Sequence, residues 1–130
     1  MTASESNVQS RVRLRAADFF MRLWRNNRGA FQDITGRLVR YGLANDSKEL
    51  GKRLRTHDLI GWRRVTITPE MVGKVIAQFA SIECKPEGWA PPRPGPTEAY
   101  EHYKGQLNWR DLVNREGGYS MFVTDPSQLT

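Results

Sequence analysis

This sequence lacks paired cysteines and long apolar runs, and we expect no export signal. Its one cysteine, Cys84, cannot form an internal disulfide and excludes a zinc site made of four cysteines. No apolar run approaches the roughly 20 residues of a membrane span, and segment 1–15 contains no apolar stretch of the kind that signal peptides carry. We therefore expect a reduced, intracellular protein that is neither secreted nor bound to a membrane.

Size and composition indicate a single folded domain. The 130 residues, 38% of them hydrophobic and 26% charged, suffice for one modest core and are too apolar for a wholly disordered chain. The charge is uneven: residues 1–64 hold 14 Lys and Arg against 6 Asp and Glu, whereas residues 65–130 hold 6 against 8. A basic half favours a polyanion as partner, usually nucleic acid, although a merely solubilising surface also explains it.

The first half of the chain predicts one helix followed by short strands. Apolar residues spaced by three and four predict a helix over 5–23, and two possible capping boxes, at 2–5 and 6–9, place Glu5 inside or just outside its first turn. Beyond the helix, the sequence predicts in chain order a strand at 23–25, a turn at 26–29, a hairpin over 31–41 with its turn at 35–37, a short basic helix or loop at 47–54, and a strand at 59–62.

The second half of the chain predicts a strand, a loop, a helix and a strand. In chain order, it indicates a helix start at Pro69, a strand at 77–85, a stiff proline-rich loop at 86–96, a helix capped by Thr97 that runs to about Arg115, a stop at Gly117 and Gly118, and a closing strand at 119–124. We take the loop as part of one domain spanning residues 1–130. The order of elements predicts a mixed α/β fold.

The tripeptide Glu83-Cys84-Lys85 is the first feature that points to chemistry. In a strand, Glu83 and Lys85 share a face with Phe79 and Ser81, whereas Cys84 lies on the opposite face, which we expect to be the core side. A carboxylate is a hard oxygen ligand suited to Mg²⁺ or Mn²⁺, and a neighbouring lysine can stabilise charge that builds on a phosphate. For the tripeptide alone, an ion pair at the end of a strand is the simpler interpretation.

Two further side chains are candidates for the same site. Asp58 stands immediately before the strand at 59–62, 25 positions ahead of Glu83, and the two carboxylates can converge on one cation if their strands are neighbours. Gln106, on the last predicted helix, can orient a water or a phosphate. Each has a plainer interpretation, Asp58 as a turn or capping residue and Gln106 as an ordinary polar residue of a helix.

Six segments carry a family resemblance, in one order across nearly the whole chain: LWRNNRGAF (23–31), TGRLVRYGLAND (35–46), DLIGW (58–62), TITPEMVGK (66–74), FASIECKPEGW (79–89) and REGGYSMFV (115–123). An Asp…ExK pattern on strands, with a glutamate on an earlier helix and a glutamine on a later one, resembles the PD-(D/E)XK nuclease superfamily. The closer resemblance is to its VRR-NUC (virus-type replication-repair nuclease) family, especially the small stand-alone phage and bacterial members.

The resemblance implies a restriction-endonuclease-like fold, with a mixed sheet core flanked by helices and a metal site of one or two Mg²⁺ or Mn²⁺ ions. It makes Asp58 and Glu83 the metal-binding carboxylates, with the backbone carbonyl of Cys84 as a further ligand. It makes Lys85 the catalytic lysine. No organic cofactor is implied.

Other positions match the family less directly. Glu5 matches the glutamate of the family's first helix, and Gln106 matches its glutamine on the helix after ExK. His57 departs from the family, which more often has a small residue or proline there, and Cys84 replaces an aliphatic residue. Asn26, Asn27 and Gly29 match a turn that lies near the active site in members of the family.

The activity implied by the resemblance is endonucleolytic hydrolysis of DNA that leaves 5′-phosphate and 3′-hydroxyl ends. The expected partners are branched DNA, such as four-way (Holliday) junctions, and a second copy in a homodimer, and the expected location is the cytoplasm of a bacterial or phage-infected cell. Two other interpretations stay open, a basic DNA-binding module without catalysis and a nuclease acting on ordinary duplex or flap DNA. The candidates for holding DNA are Arg25, Asn26, Asn27, Arg28, Arg37, Arg40, Arg53 and Arg55.

Overall fold

The protein, described by a computed structural model over residues 3–130, divides into two compact units, Met1–Arg63 and Arg64–Thr130. The chain contains both helices and strands in mixed order, so the predicted mixed α/β class is confirmed. The restriction-endonuclease-like core and the single-domain organisation stay predictions. Over residues 3–130, none of the helices combines the length and the hydropathy that crossing a bilayer requires.

The first unit begins with helix α1, Glu5–Ala16. Ser4 is its N-cap, because the Ser4 hydroxyl accepts a hydrogen bond from the backbone N–H of Asn7 at 3.2 Å. The predicted capping box at 6–9 therefore lies inside the helix. The alternative box includes Thr2, which lies outside the described residues.

The prediction that this helix continues to residue 23 was wrong. A 3₁₀ turn over Ala17–Phe19 follows α1, and Phe20 adopts the left-handed conformation with φ of 58°. That conformation ends a right-handed helix. The next residues join a strand instead, since their backbone groups pair with the distant segment Leu59–Arg63.

Short antiparallel pairs make up the sheets of the first unit. The strands are β1 (Met21–Arg25), β2 (Gly29–Gln32), β3 (Leu38–Tyr41) and β4 (Leu59–Arg63). β1 pairs with β4, and β2 pairs with β3, which confirms the predicted hairpin. The segment that the sequence left open as helix or loop contains helix α2, Lys48–Arg53, capped by the hydroxyl of Ser47.

Asn45 ties the hairpin to α2. It is buried, and its side-chain amide donates hydrogen bonds to the carbonyls of Gly29 (2.8 Å) and Tyr41 (2.9 Å), one on each strand of the β2–β3 pair. Gly51 of α2 packs against the other end of the same amide: a Cβ at this position would stand 2.5 Å from Asn45 Oδ1. No sequence motif predicts this contact, because it depends on how the hairpin and α2 pack together.

The second unit is built on a strand–helix–strand motif. Strand β5 (Ala80–Cys84), helix α3 (Glu98–Arg115) and strand β6 (Tyr119–Val123) follow one another, and β5 pairs in parallel with β6. Parallel neighbours need a crossover connection, which α3 supplies. The helix start expected at Pro69 is only a 3₁₀ turn, Pro69–Met71.

Both ends of α3 agree with the sequence. The Thr97 hydroxyl accepts a hydrogen bond from the backbone N–H of Tyr100 at 3.2 Å, which confirms the predicted N-cap. After the helix, the Gly118 N–H donates to the carbonyl of Val113 at 2.9 Å. Val113 itself is fully buried against the sheet side, so the last turn of α3 and the start of β6 share one small core.

The face of β5 that packs against the rest of the unit is the one opposite Cys84, whereas the Cys84 face was expected to be buried. The side chains of Ser81 and Glu83 are half-buried on the face that α3 covers, and Trp109 of α3 donates its indole N–H to the Ser81 hydroxyl at 2.8 Å. Cys84 lies on the other face and is exposed. The prediction that Cys84 faces the core was wrong, because the helix packs on the polar face of the strand.

Two glycines in helix interiors should respond oppositely to alanine. Gly51→Ala should lower the free energy of unfolding by roughly 1–3 kcal/mol, because the new methyl overlaps the buried Asn45 amide. Gly105→Ala, in α3, is the matched control, since nothing lies within 4 Å of its Cβ position. It should raise the free energy of unfolding by about 0.5–1 kcal/mol. Urea unfolding measures both, and a stabilised Gly51→Ala variant contradicts the packing described for Asn45.

Candidate functional site

Lys85, Glu83 and Gln106 come together between β5 and α3. The strand places Glu83 and Lys85 on its helix-facing side, and the Lys85 backbone N–H donates to the Val123 carbonyl at 2.8 Å, which carries the pairing with β6 one residue past the end of β5. Gln106 projects from the middle of α3. The Lys85 ammonium donates a hydrogen bond to Gln106 Oε1 at 2.9 Å and lies 3.4 Å from Glu83 Oε1.

The Lys85 ammonium is sheltered, whereas the Glu83 carboxylate reaches solvent. Their side chains are 15% and 40% exposed. Besides the two oxygens, the ammonium nitrogen lies 5.2 Å from the ring centroid of Trp89 and 5.9 Å from that of Phe122. Aromatic faces attract cations, so all four neighbours stabilise a positive charge at this point.

A cleft of about 340 Å³ opens beside this cluster. Its walls come from β5, α3 and β6, and they include Glu83, Gln106, Arg110 and Phe122. The guanidinium of Arg110 lies 5.8 Å from the Phe122 ring centroid. A carboxylate, an amide, a guanidinium and an aromatic face therefore border one concave surface, which is the arrangement expected of a binding site for a polar ligand.

Asp58 lies in the first unit, immediately before β4, and is exposed. Glu83 lies in the second unit, and the convergence of the two carboxylates stays a prediction. Glu5 is the first residue of α1 and is exposed, and its carboxylate accepts a hydrogen bond from Gln9 at 3.4 Å.

Asn26 fastens the segment that ends in Asp58. Its side-chain amide donates to the Thr56 hydroxyl at 2.9 Å and to the His57 carbonyl at 3.0 Å, and its backbone N–H donates to the Asp58 carbonyl at 2.8 Å. Three consecutive residues are thereby held against the end of β1. The family resemblance had suggested that this turn lies near the site, but contact with DNA was the role expected of Asn26.

Arg28 also has a structural role where a DNA contact was expected. Its guanidinium donates to the carbonyls of Gly51 and Leu54, both at 2.6 Å, at the C-terminal end of α2. Carbonyls at this end of a helix have no partner within the helix, and a guanidinium satisfies them well. The arginine joins the turn after β1 to α2 and directs its donors inward.

The remaining candidates for binding DNA differ in solvent exposure and in whether they already have an ionic partner. The side chains of Arg25, Asn27, Arg53 and Arg55 are exposed, whereas Arg40 is half-buried. Arg37 lies 3.5 Å from the carboxylate of Asp33. Hydrogen bonds from the Thr35 hydroxyl and then from the Arg37 backbone N–H lower the pKa of Asp33 below its ordinary value, so this turn keeps its negative charge.

The candidate site offers the type of ligand that a hard divalent ion binds, a carboxylate oxygen. Mg²⁺ and Mn²⁺ take carboxylate oxygens and retain several waters, so one or two carboxylates suffice. The partly exposed Glu83 carboxylate beside the cleft is of this kind. Over residues 3–130, no set of three or more His, Cys, Asp and Glu side chains is grouped closely enough to hold a metal.

Comparison of the chain with known protein families, with curated proteins and with solved structures found no match. Assignment to the VRR-NUC family therefore stays a hypothesis based on the motifs. Sequence reasoning missed the aromatic residues around Lys85. A tryptophan four positions after the lysine, in an otherwise proline-rich stretch, was the available signal.

The hydrogen bonds of Asn26 lead to a prediction about stability. Asn26→Ala should lower the free energy of unfolding by roughly 1–3 kcal/mol, because it removes the side-chain donor to the His57 carbonyl and the nearer of two donors to the Thr56 hydroxyl. Asn27→Ala is the control: this neighbour is exposed, and its replacement should change stability by less than about 0.5 kcal/mol. Urea unfolding and amide hydrogen exchange of residues 56–58 measure both. Equal stability of the two variants argues against the clamp.

Proposed function

We propose that this protein is a metal-dependent endonuclease that hydrolyses phosphodiester bonds in DNA. The observation that supports it most is the cluster of Lys85, Glu83 and Gln106, in which the ammonium lies within 2.9 Å of the amide oxygen and 3.4 Å of the carboxylate. The sequence pattern had assigned a nuclease role to each of the three residues. A strand and the following helix, with a loop between them, bring these side chains together, and two of them, Glu83 and Gln106, also line the cleft.

Each side chain has a role in this proposal. Lys85 stabilises the negative charge that develops on the phosphate, because a preorganised ammonium in a sheltered position acts more strongly than one in water. Gln106 accepts from Lys85 and fixes where the ammonium points. Glu83, which remains open to solvent, is an oxygen ligand for Mg²⁺ or Mn²⁺ together with Asp58 and the carbonyl of Cys84. The bound ion would supply Lewis-acid activation of the attacking water.

The first unit is the proposed DNA-holding surface. It contains 13 Lys and Arg residues against 6 Asp and Glu, whereas the second unit contains 7 against 8. Contacts from such a surface to phosphates fix position without reading sequence. Because Arg28 is occupied at the end of α2, we assign the phosphate contacts to the exposed arginines Arg25, Arg53 and Arg55.

We extend the proposal to branched DNA and a homodimer, as the VRR-NUC resemblance implies. A two-fold dimer offers two equivalent sites for the two strands of a junction. The competing function is a DNA-binding module without catalysis. It is favoured by the same 3.4 Å ion pair of Lys85 and Glu83, which on its own is an ordinary structural contact at a strand end.

Substitution of the cluster separates catalysis from mere binding. Glu83→Gln and Lys85→Met should each lower the rate of Mg²⁺- or Mn²⁺-dependent cleavage of a labelled four-way junction by at least about 100-fold. If Asp58 is the second carboxylate, Asp58→Asn should lose activity to a similar extent. Lys104→Met, which removes an exposed lysine of α3, should cleave at the wild-type rate. Cleavage at the wild-type rate in both Glu83→Gln and Lys85→Met shows that this cluster does not catalyse the reaction and contradicts the proposed nuclease site. Wild-type protein that binds the junction without cutting it, with either metal present, favours the binding module.

Salt dependence tests the assignment of the arginines. In fluorescence anisotropy with uncut junction DNA and Ca²⁺, the double variant Arg53→Ala/Arg55→Ala should make the log–log dependence of affinity on salt shallower by about 2, one for each lost phosphate contact. Arg115→Ala, in the second unit, should leave the slope unchanged. An unchanged slope in the double variant removes these two arginines from the DNA surface.

A substrate panel at constant salt decides the preferred DNA. We expect four-way junctions to be cut at least about 10-fold faster than linear duplex of the same length, since a dimer engages two strands of a junction at once. Equal rates on both substrates contradict the junction preference and favour a nuclease of ordinary duplex or flap DNA. Light scattering at micromolar concentration tests the dimer in the same buffer.

A further inference from the structure

The proline-rich segment begins with a tight turn. The Trp89 N–H donates to the Pro86 carbonyl at 3.0 Å, and Gly88 between them adopts φ of +78°. Glycine reaches this conformation without the strain that other residues incur, which makes it the usual residue at such a turn position. After β5 ends at Cys84, the chain reverses direction within the turn formed by residues 86–89. This reversal places the indole of Trp89 next to the side chain of Lys85.

Three aromatic rings hold one another beside Lys85. The ring centroids of Trp89 and Tyr103 lie 5.7 Å apart, those of Trp89 and Phe122 5.9 Å, and those of Tyr103 and Phe122 5.8 Å. The rings come from the loop after β5, from α3 and from β6. This three-ring cluster anchors the loop to both neighbouring elements, at distances typical of aromatic pairs.

The ammonium of Lys85 lies against this cluster. Its nitrogen is 5.2 Å from the Trp89 centroid and 5.9 Å from the Phe122 centroid, and it donates to Gln106 at 2.9 Å. A free lysine side chain samples many rotamers, and holding it in one position costs conformational entropy. Attraction to the ring faces offsets that cost, and the amide oxygen selects the direction.

We infer that Trp89 is a positioning residue that holds the Lys85 ammonium in the orientation required for catalysis. The inference rests on the proposed function for its catalytic consequence, whereas the placement of the ammonium can be tested without any activity. The indole acts through Lys85 and does not itself meet the phosphate. It gives the proline-rich loop a role in the site that neither composition nor the family resemblance assigns to it.

Nuclear magnetic resonance tests the placement. Ring currents of Trp89 and Phe122 should shift the Lys85 Hε signals upfield from their ordinary position. Trp89→Leu should remove most of that shift, and Trp89→Phe should retain part of it. Tyr100→Leu is the matched control, because Tyr100 contacts Tyr103 and Lys104; it should leave the Lys85 signals unchanged. Lys85 Hε signals that stay the same in Trp89→Leu, or that start at ordinary positions, overturn the inference.

A double-mutant cycle tests the catalytic consequence. Trp89→Leu should lower kcat for DNA cleavage by roughly 10-fold with KM within about 2-fold, and Trp89→Phe should recover most of the rate. In the Lys85→Met background, Trp89→Leu should have no further effect on single-turnover cleavage. An equal loss in both backgrounds shows that the indole supports only the fold and overturns the inference. Failure of the wild type to cleave any DNA overturns the proposed function instead, and the resonance measurement then still decides the placement of Lys85.

Discussion

Parallel pairing of β5 with β6 is the constraint on which the candidate site depends. Two parallel strands cannot be joined by a hairpin, so the chain must cross over one face of the pair, and α3 does so. That crossing places Gln106 opposite the helix-facing side chains of β5. The contact between Lys85 and Gln106 at 2.9 Å is a direct result. Without the crossover, Glu83 and Lys85 are an exposed pair at the end of a strand.

Polar side chains on a strand face that a helix covers need hydrogen-bonding or ionic partners, and the side chains of β5 on this face have them. Ser81 accepts the indole N–H of Trp109, and Lys85 meets an amide oxygen, a carboxylate and two rings. Apolar side chains in these positions would give a larger core. The small core that remains includes Val113 and Val123. The second unit therefore gives up some apolar burial for a sheltered ammonium beside a cleft, which is the kind of exchange that binding and catalytic sites make.

The first unit uses side chains to satisfy backbone groups that its short elements leave open. Arg28 meets carbonyls at the end of α2, Asn45 bridges β2 and β3, and Asn26 holds residues 56–58. With strands of four or five residues, few ladder hydrogen bonds form, and such side chains replace them. The basic surface is consequently smaller than the number of arginines suggests, because the guanidinium groups of Arg28 and Arg13 donate to backbone carbonyls.

The sequence by itself determined the features that are set by neighbouring residues. Thr97 fixed the start of α3, the turn at 35–37 fixed the hairpin, and alternation along β5 put Glu83 and Lys85 on one side. Only the tertiary structure decided which side α3 covers, where α1 ends and what Arg28 contacts, since pairings with distant segments outweigh local preference. Cys84 is exposed for that reason, and Trp89 reaches Lys85 because a loop folds back onto a helix and a strand, which no local pattern encodes.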